Sequence, residues 1–362
     1  MSISILQILK ILLVSLDVLI FIALFYISIV RAAHQDIKPD RDSPTLVILP
    51  CRGLDFHMEE NLQSLRKQDH QNFRIVAVVD TESDPSVALL KKFGIQYLVS
   101  EGGNGSGKVS AIATAMRKFS GQYKYTVIAD SDILPPPGWL SSLIAPLSQR
   151  DTGLSTTFPH FRPESGFWPK VKMVWGFVGL GMMESPMTRF GWGGSLAFRS
   201  DLLDTDNLEF FSSHVSDDIA LTKICKKKGL SIAYVPEASP DIVSPDNFKV
   251  FWEWANRQTA LSVSSSDKVL IYGLLFYGGT IFLFLTSFLW VFLISPLFTL
   301  LFLPSIINAG RSAKRSRNHK IAGFLLQFLI PFIYFLNLVK GGRMKEISWR
   351  GKSYRLMRKH EP

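Results

Sequence analysis

The hydrophobic positions of this chain fall into three regimes. Residues 11–30, ILLVSLDVLIFIALFYISIV, are apolar apart from Asp17, a run long enough to cross a bilayer as one helix. Over residues 43–266 the apolar positions come in short bursts instead. TLVILPCR, FRIVAVVD, IQYLVS and YTVIAD read as buried strands, each brief and rich in β-branched residues. Helices are predicted between them, beginning near Phe56, Pro85 and Lys108. Strand and helix in alternation predict a parallel sheet covered on both faces, with ligands bound beyond the carboxyl ends of the strands. Residues 269–310 contain no charge at all. At 1.5 Å per residue they make about 60 Å of helix, roughly twice a hydrocarbon core, so a hairpin of two spans turning near Ser295-Pro296 is predicted. A last apolar run, residues 321–339, carries Pro331 at its middle.

This pattern divides the chain into an N-terminal anchor (1–35), a globular domain (43–266), a membrane hairpin (267–310) and a basic C-terminal part (311–362). The first run is too long for a signal-peptide core and no clear small-residue cleavage site follows it, so an uncleaved anchor is expected. Two cysteines, Cys51 and Cys225, supply neither a disulfide framework nor a metal cluster and are expected to be buried thiols. No repeat or low-complexity segment occurs.

The net charge of +10 is local. RSAKRSRNHK, residues 311–320, holds five positive charges and the segment from Lys340 onward a net six, so the remainder is close to neutral. A nucleic-acid binder would carry its basic stripe on the globular part, and this chain does not. The bases instead flank apolar runs, as expected of cytoplasmic segments. Arg31, Lys38 and Arg41 after the first run outnumber Lys10 before it, which also places the globular domain in the cytoplasm. With basic segments on both sides, residues 321–339 are expected to lie in the interface or re-enter, kinked at Pro331.

Candidate chemistry gathers at strand ends. EGGNGSGKVS, residues 101–110, fits the phosphate-loop spacing G-x-x-x-x-G-K through Gly102, Gly107 and Lys108, but Val109 stands where that loop needs a magnesium-binding hydroxyl. Asp80 closes the second strand, and ADSD at 129–132 closes the fourth, before ILPPPGWL, which cannot continue a strand. Asp130 and Asp132 can approach one hard cation whose remaining ligands are water and phosphate oxygens, which points to a metal-bound nucleoside diphosphate. A solvated turn would carry the same tripeptide. Downstream, Ser216-Asp217-Asp218 opens an amphipathic helix. Capping accounts for one acid there, and the second is a candidate base. Gly191, Gly193 and Gly194 supply backbone that a ligand could approach. In FKVFWEWANRQTAL, four aromatics suit core or membrane-surface packing, and Arg257 could grip a departing diphosphate.

Together these residues resemble the membrane-bound glycosyltransferases of family 2 type, most closely the ceramide glucosyltransferases (family 21), whose pattern is D, D, D, (Q/R)xxRW. PCRGLD is similar to the family's opening loop, Asp80 to its first aspartate, ADSD to its second motif, Asp218 to its third, and WANRQ to its last; ISWRGKSYRL is similar to the terminal segment. Trp254 and Gln258 stand where the family has Gln or Arg and Trp, and Asp217 replaces a more usual Glu. The resemblance implies a GT-A domain, Rossmann-like with a mixed sheet, between membrane helices. It implies an inverting enzyme that moves a hexose, glucose first, from a UDP-sugar to a membrane lipid hydroxyl. Asp218 would be the base, Arg257 the leaving-group clamp, and Asp130 and Asp132 the site of a divalent cation, Mn2+ or Mg2+. Asp80, Lys108, Asp130, Arg257, Gln258, Gly193 and Gly194 would bind the nucleotide sugar. The alternatives are a polysaccharide synthase or polyprenyl-phosphate glycosyltransferase of the same superfamily, and a non-enzymatic membrane scaffold, which would be expected to have lost the acids.

Overall fold

The computed structural model describes residues 5–29 and 37–356. Arg31 and the last bases of the tail, Arg358 and Lys359, lie outside the described residues.

The four strands expected from the sequence form at their expected places: β1 (Thr45–Cys51), β2 (Phe73–Val79), β3 (Gln96–Val99) and β4 (Tyr125–Ala129). They run parallel. β1, β4 and the second half of β2 are apolar because both their faces are buried, whereas the edge strand β3 is partly exposed. Val47, Leu49 and Cys51 point into one core with Ala77, Val79, Val127 and Ala129, while Leu46 and Ile48 point into the other with Val76, Val78 and Ile128. The connecting helices α2 (Met58–Arg66) and α3 (Ser86–Lys92) cover the first face, and α4 (Gly107–Lys118) covers the second.

After β4 the chain makes the short strand β5 (Ile133–Leu134), α5 (Trp139–Ile144), β6 (Thr152–Thr156), β7 (His160–Phe161) and α6 (Trp168–Met183). β8 (Ser195–Arg199) then enters the sheet antiparallel to β4 and β6, followed by α7 (Thr205–Ser212), α8 (Asp217–Lys227), β9 (Ser231–Tyr234) and β10 (Asp241–Ile242). The seven-stranded order is β3-β2-β1-β4-β8-β6-β9, a mixed sheet, with β5, β10 and β7 in a small second sheet. Trp139, fully buried, donates Nε1–H to Ser195 Oγ at 2.7 Å and so fastens α5 to β8. Cys51 and Cys225 are free and buried, as expected, and burial pushes the Cys225 thiol up to about 11.

Among the described residues two helices are long and apolar enough to cross a membrane: α1 (Ile5–Ile29) and α10 (Asp267–Leu293), the latter following α9 (Phe248–Ser265). Asp17 joins them. Its carboxylate accepts from Thr286 Oγ1 at 2.8 Å and from Trp290 Nε1 at 2.5 Å, so the one charge of the first run is buried against the second.

The apolar run does reverse at Ser295-Pro296, but its return limb is not the second membrane-length helix expected from the sequence. Pro296 and Pro304 lack the N–H that a continuous helix needs. Residues Pro296–Phe302 form a 3-10 turn and α11 (Leu303–Arg315) follows, ending in Lys314 and Arg315. The limb folds back along α10, with Phe302 meeting Phe284 and Phe288 edge to face.

The last apolar run is a bent pair, Arg317–Leu326 and Ile330–Gly341, at 72°. Its helices α12 (Lys320–Leu326) and α13 (Ile330–Gly341) are separated by three residues, and Pro331 sits in the first turn of α13, where proline is tolerated. Both ends return to the globular domain. Arg317 pairs with Asp241 at 2.8 Å, and Gly341 packs on the backbone of α9 near Ala260. Phe328, at the bend, reaches Phe284. A closing hairpin, β11 (Glu346–Trp349) and β12 (Lys352–Arg355), completes the described chain.

Candidate active site

The carboxyl ends of β1, β2 and β4 and the first turns of α4 and α8 meet in one place. Ser106 caps α4 by accepting the Val109 N–H at 3.2 Å, which leaves Lys108 in the first turn facing the sheet. Its ammonium lies 2.7 Å from Asp130 Oδ1, 3.2 Å from Asp217 Oδ2 and 3.1 Å from the Gly193 carbonyl. Burial alone would depress the lysine, but Asp130 and Asp217 override it and hold Lys108 protonated above its usual range. A lysine clamped between two carboxylates is not free to reach over a glycine loop, which disposes of the phosphate-loop resemblance on geometric grounds.

Asp130 and Asp217 are both pushed upward by burial, against the pull of Lys108. Asp132 is the least satisfied of the group. Its Oδ1 is enclosed with no donor among the described residues. Burial, with Asp130 and Asp55 close by, lifts its carboxyl to about 7. A divalent cation with oxygen ligands relieves that condition, so Asp132 and Asp130 fit such an ion. Among the described residues no three His, Cys, Asp or Glu side chains form a metal cage, and a two-carboxylate site leaves the rest of the shell to water and phosphate.

Asp80 lies 3.5 Å from Arg52 and 3.4 Å from Lys352, beside Gly107 at the start of α4. The two acids of α8 divide their tasks. Asp217 turns inward to Lys108 and is buried. Asp218 Oδ1 accepts from Ser216 Oγ and from the Ile219 N–H at 2.7 Å, which leaves Oδ2 with no protein donor among the described residues.

Gly193 is required by this arrangement, since a Cβ there would stand 2.4 Å from Asp217, and one at Gly194 would enter the Trp192 ring. At both positions the close neighbours are the chain's own side chains. Arg257, in α9, has no ion pair among the described residues and is held below its usual range by burial and by Arg350. The backbone carbonyl of Gln258 accepts from Ser262 Oγ, and its side chain makes no hydrogen bond among the described residues. Trp254 packs inward against Trp175 and Phe161, with Lys172 Nζ 4.6 Å above its ring.

Residues 15–361 match the model of a family described as Glycosyl transferase family 21. The chain belongs to this family. Over 242 residues, 61% of its length, the family 21 chain is 25% identical to ceramide glucosyltransferase 1 of Caenorhabditis elegans, and it spans about half (50%) of that relative's length. Its fold is similar to that of a mannosyltransferase from Pyrobaculum calidifontis solved in complex with GDP-Man and Mn2+, with a TM-score of 0.54 at 15% identity over 92% of this chain and 97% of that one. The mixed sheet is thus the GT-A arrangement.

Four residues of the site escaped the reading of the sequence. Asp55, in the opening loop, takes Ser131 Oγ and Arg350; Arg350, Lys352 and Tyr354 come from the closing hairpin. Their signal was present in PCRGLD and ISWRGKSYRL, but nothing in the sequence alone says that a segment about 300 residues away returns to the first strand.

Proposed function

We propose that this protein is an inverting glycosyltransferase that moves a hexose, glucose first, from a UDP-sugar to the hydroxyl of a membrane lipid of the ceramide class. The observation that carries the reading is the convergence of Asp80, Asp130, Asp132, Lys108 and the first turn of α8 at the strand ends, with the guanidinium of Arg257, which has no ion pair among the described residues. Asp218 is the base. Its free oxygen can take the acceptor proton, whereas Asp217 is committed to Lys108. Asp80 lies on the nucleotide side, and Arg257 stabilises the charge that accumulates on the departing diphosphate. A divalent cation, Mn2+ or Mg2+, held by Asp132 and Asp130, would neutralise the same charge as a Lewis acid.

The lipid acceptor is supported by α1 and α10, which hold the domain at a bilayer, and by the name of the curated relative. The domain faces the cytoplasm, where the basic segments favour it. The two membrane-length helices and one bent pair among the described residues are few to line a polymer channel, which disfavours a polysaccharide synthase. To test the reading, membranes containing the protein are incubated with a panel of radiolabelled nucleotide sugars, and lipid-soluble label is separated from polymer. Label in a lipid fraction from UDP-glucose is expected. Label only in polymer, or none from any donor, would overturn it.

A further inference from the structure

The closing hairpin lies on the acidic site. The two residues that join β11 to β12, Arg350 and Gly351, both take left-handed backbone, with φ of 47° and 76°. Such two-residue turns favour Asn-Gly, so an arginine in the first position is held in a conformation that asparagine adopts more readily. The destination of its side chain gives the reason. Arg350 donates to the Asp55 carboxylate and to the Arg52 carbonyl, and Asp132 and Asp130 lie within its field. Two residues on, Lys352 stands 3.4 Å from Asp80, and the Tyr354 hydroxyl accepts the Gly107 N–H at 3.4 Å, in the first turn of α4.

The hairpin is seated by Ile347 and Tyr354, which pack with Ala260 of α9. One turn earlier the same helix carries Arg257, which has no ion pair among the described residues and is pushed down by burial and by the charge of Arg350. Two guanidiniums of like charge therefore face the same side of the site, with Asp55 as the acid that Arg350 engages. A polyanion lying between the guanidiniums would relieve both.

We propose that the hairpin is part of the donor site: Arg350 and Arg257 grip the diphosphate from two sides, and Lys352 closes over the nucleotide next to Asp80. This rests on the donor reading above and assigns its specificity for a diphosphate to the C-terminal segment. Asp55 holds Arg350 in place when no donor is bound.

The test uses the full chain in detergent with Mn2+, titrated with UDP, GDP and, by competition, uridine. Arg350→Asn is the informative variant, because asparagine keeps the turn while removing the cation. Loss of a charge-assisted contact predicts roughly 10- to 100-fold weaker binding of the diphosphate, with uridine within about twofold of wild type. Ser348→Ala, on the same hairpin, leaves both ligands unchanged. Unaltered diphosphate affinity in Arg350→Asn, or an equal loss for uridine, overturns the assignment. Wild-type protein that binds neither UDP nor GDP overturns the donor reading as well.

Discussion

Lys108 Nζ stands 2.7 Å from Asp130 Oδ1 and ties the first turn of α4 to the end of β4 at the point where the sheet passes from parallel to antiparallel. Removing the cation leaves Asp130 and Asp217 buried without their counter-charge, a loss of about 3–5 kcal/mol for a broken buried pair. Lys108→Met should therefore lower the melting temperature by several degrees near pH 7.5, with part of the loss recovered near pH 5.5 as the carboxylates take up protons. Thermal unfolding in detergent at the two values checks this, and an unchanged melting temperature would remove the triad from the account of stability.

The two acids of α8 should separate in kinetics. Asp218→Asn is expected to reduce transfer by roughly 10² to 10⁴ with UDP affinity within about twofold, since a base acts on the acceptor proton. Asp217→Asn should act mainly through Lys108, on stability and donor binding. If Asp218→Asn retains activity within about threefold of wild type, the base is Asp217.

Asp132 sets a pH dependence. Burial raises its carboxyl to about 7, above the unfolded value, so the folded chain binds the proton more tightly. In the metal-free protein this contribution falls as pH rises from about 4 to about 7 and is constant above. A cation must displace that proton, so Mn2+ affinity should rise with pH up to about 7 and level off above it. Calorimetric titration from pH 5.5 to 8.5 reads the curve; a flat profile would take Asp132 out of the cation site, and Asp132→Asn should abolish the dependence.

Topology follows from the ends of the bent pair. Asn318 and Ser353 are exposed on the side of the globular domain, and the turn at Ser295-Pro296 lies at the far end of α10. Single cysteines at Asn318 and Ser353 should react with an impermeant reagent from the cytoplasmic side, and one at Leu293 from the opposite side. Both native thiols are buried and can remain. Labelling of Ser353→Cys from outside intact cells, with Asn318→Cys protected, would mean that residues 321–339 cross.

The parts legible in the sequence are those governed by local pattern. β1, β4 and most of β2 announced themselves because strands buried on both faces are apolar runs, and Asp80, Asp130 and Asp132 stood out because they follow the ends of β2 and β4. Asp17 read only as a blemish in an apolar run, since its partners Thr286 and Trp290 belong to another helix. The return limb of the hairpin was misjudged because charge-free length was weighed above Pro296 and Pro304. The division between Asp217 and Asp218 could not be read from adjacency: which one turns inward depends on Lys108, a hundred residues earlier in another helix. Arg350 was hidden for the same reason, as its role depends on a fold that closes the chain's last hairpin over its first strand.

The central claim, that a carboxylate base drives a single direct displacement at the sugar, is tested most directly by the anomeric configuration of the lipid product. With an α-linked UDP-hexose as donor, the account predicts a β-linked glycolipid, formed by the wild type and lost in Asp218→Asn. An α-linked product, which requires retention through a second displacement, would contradict it.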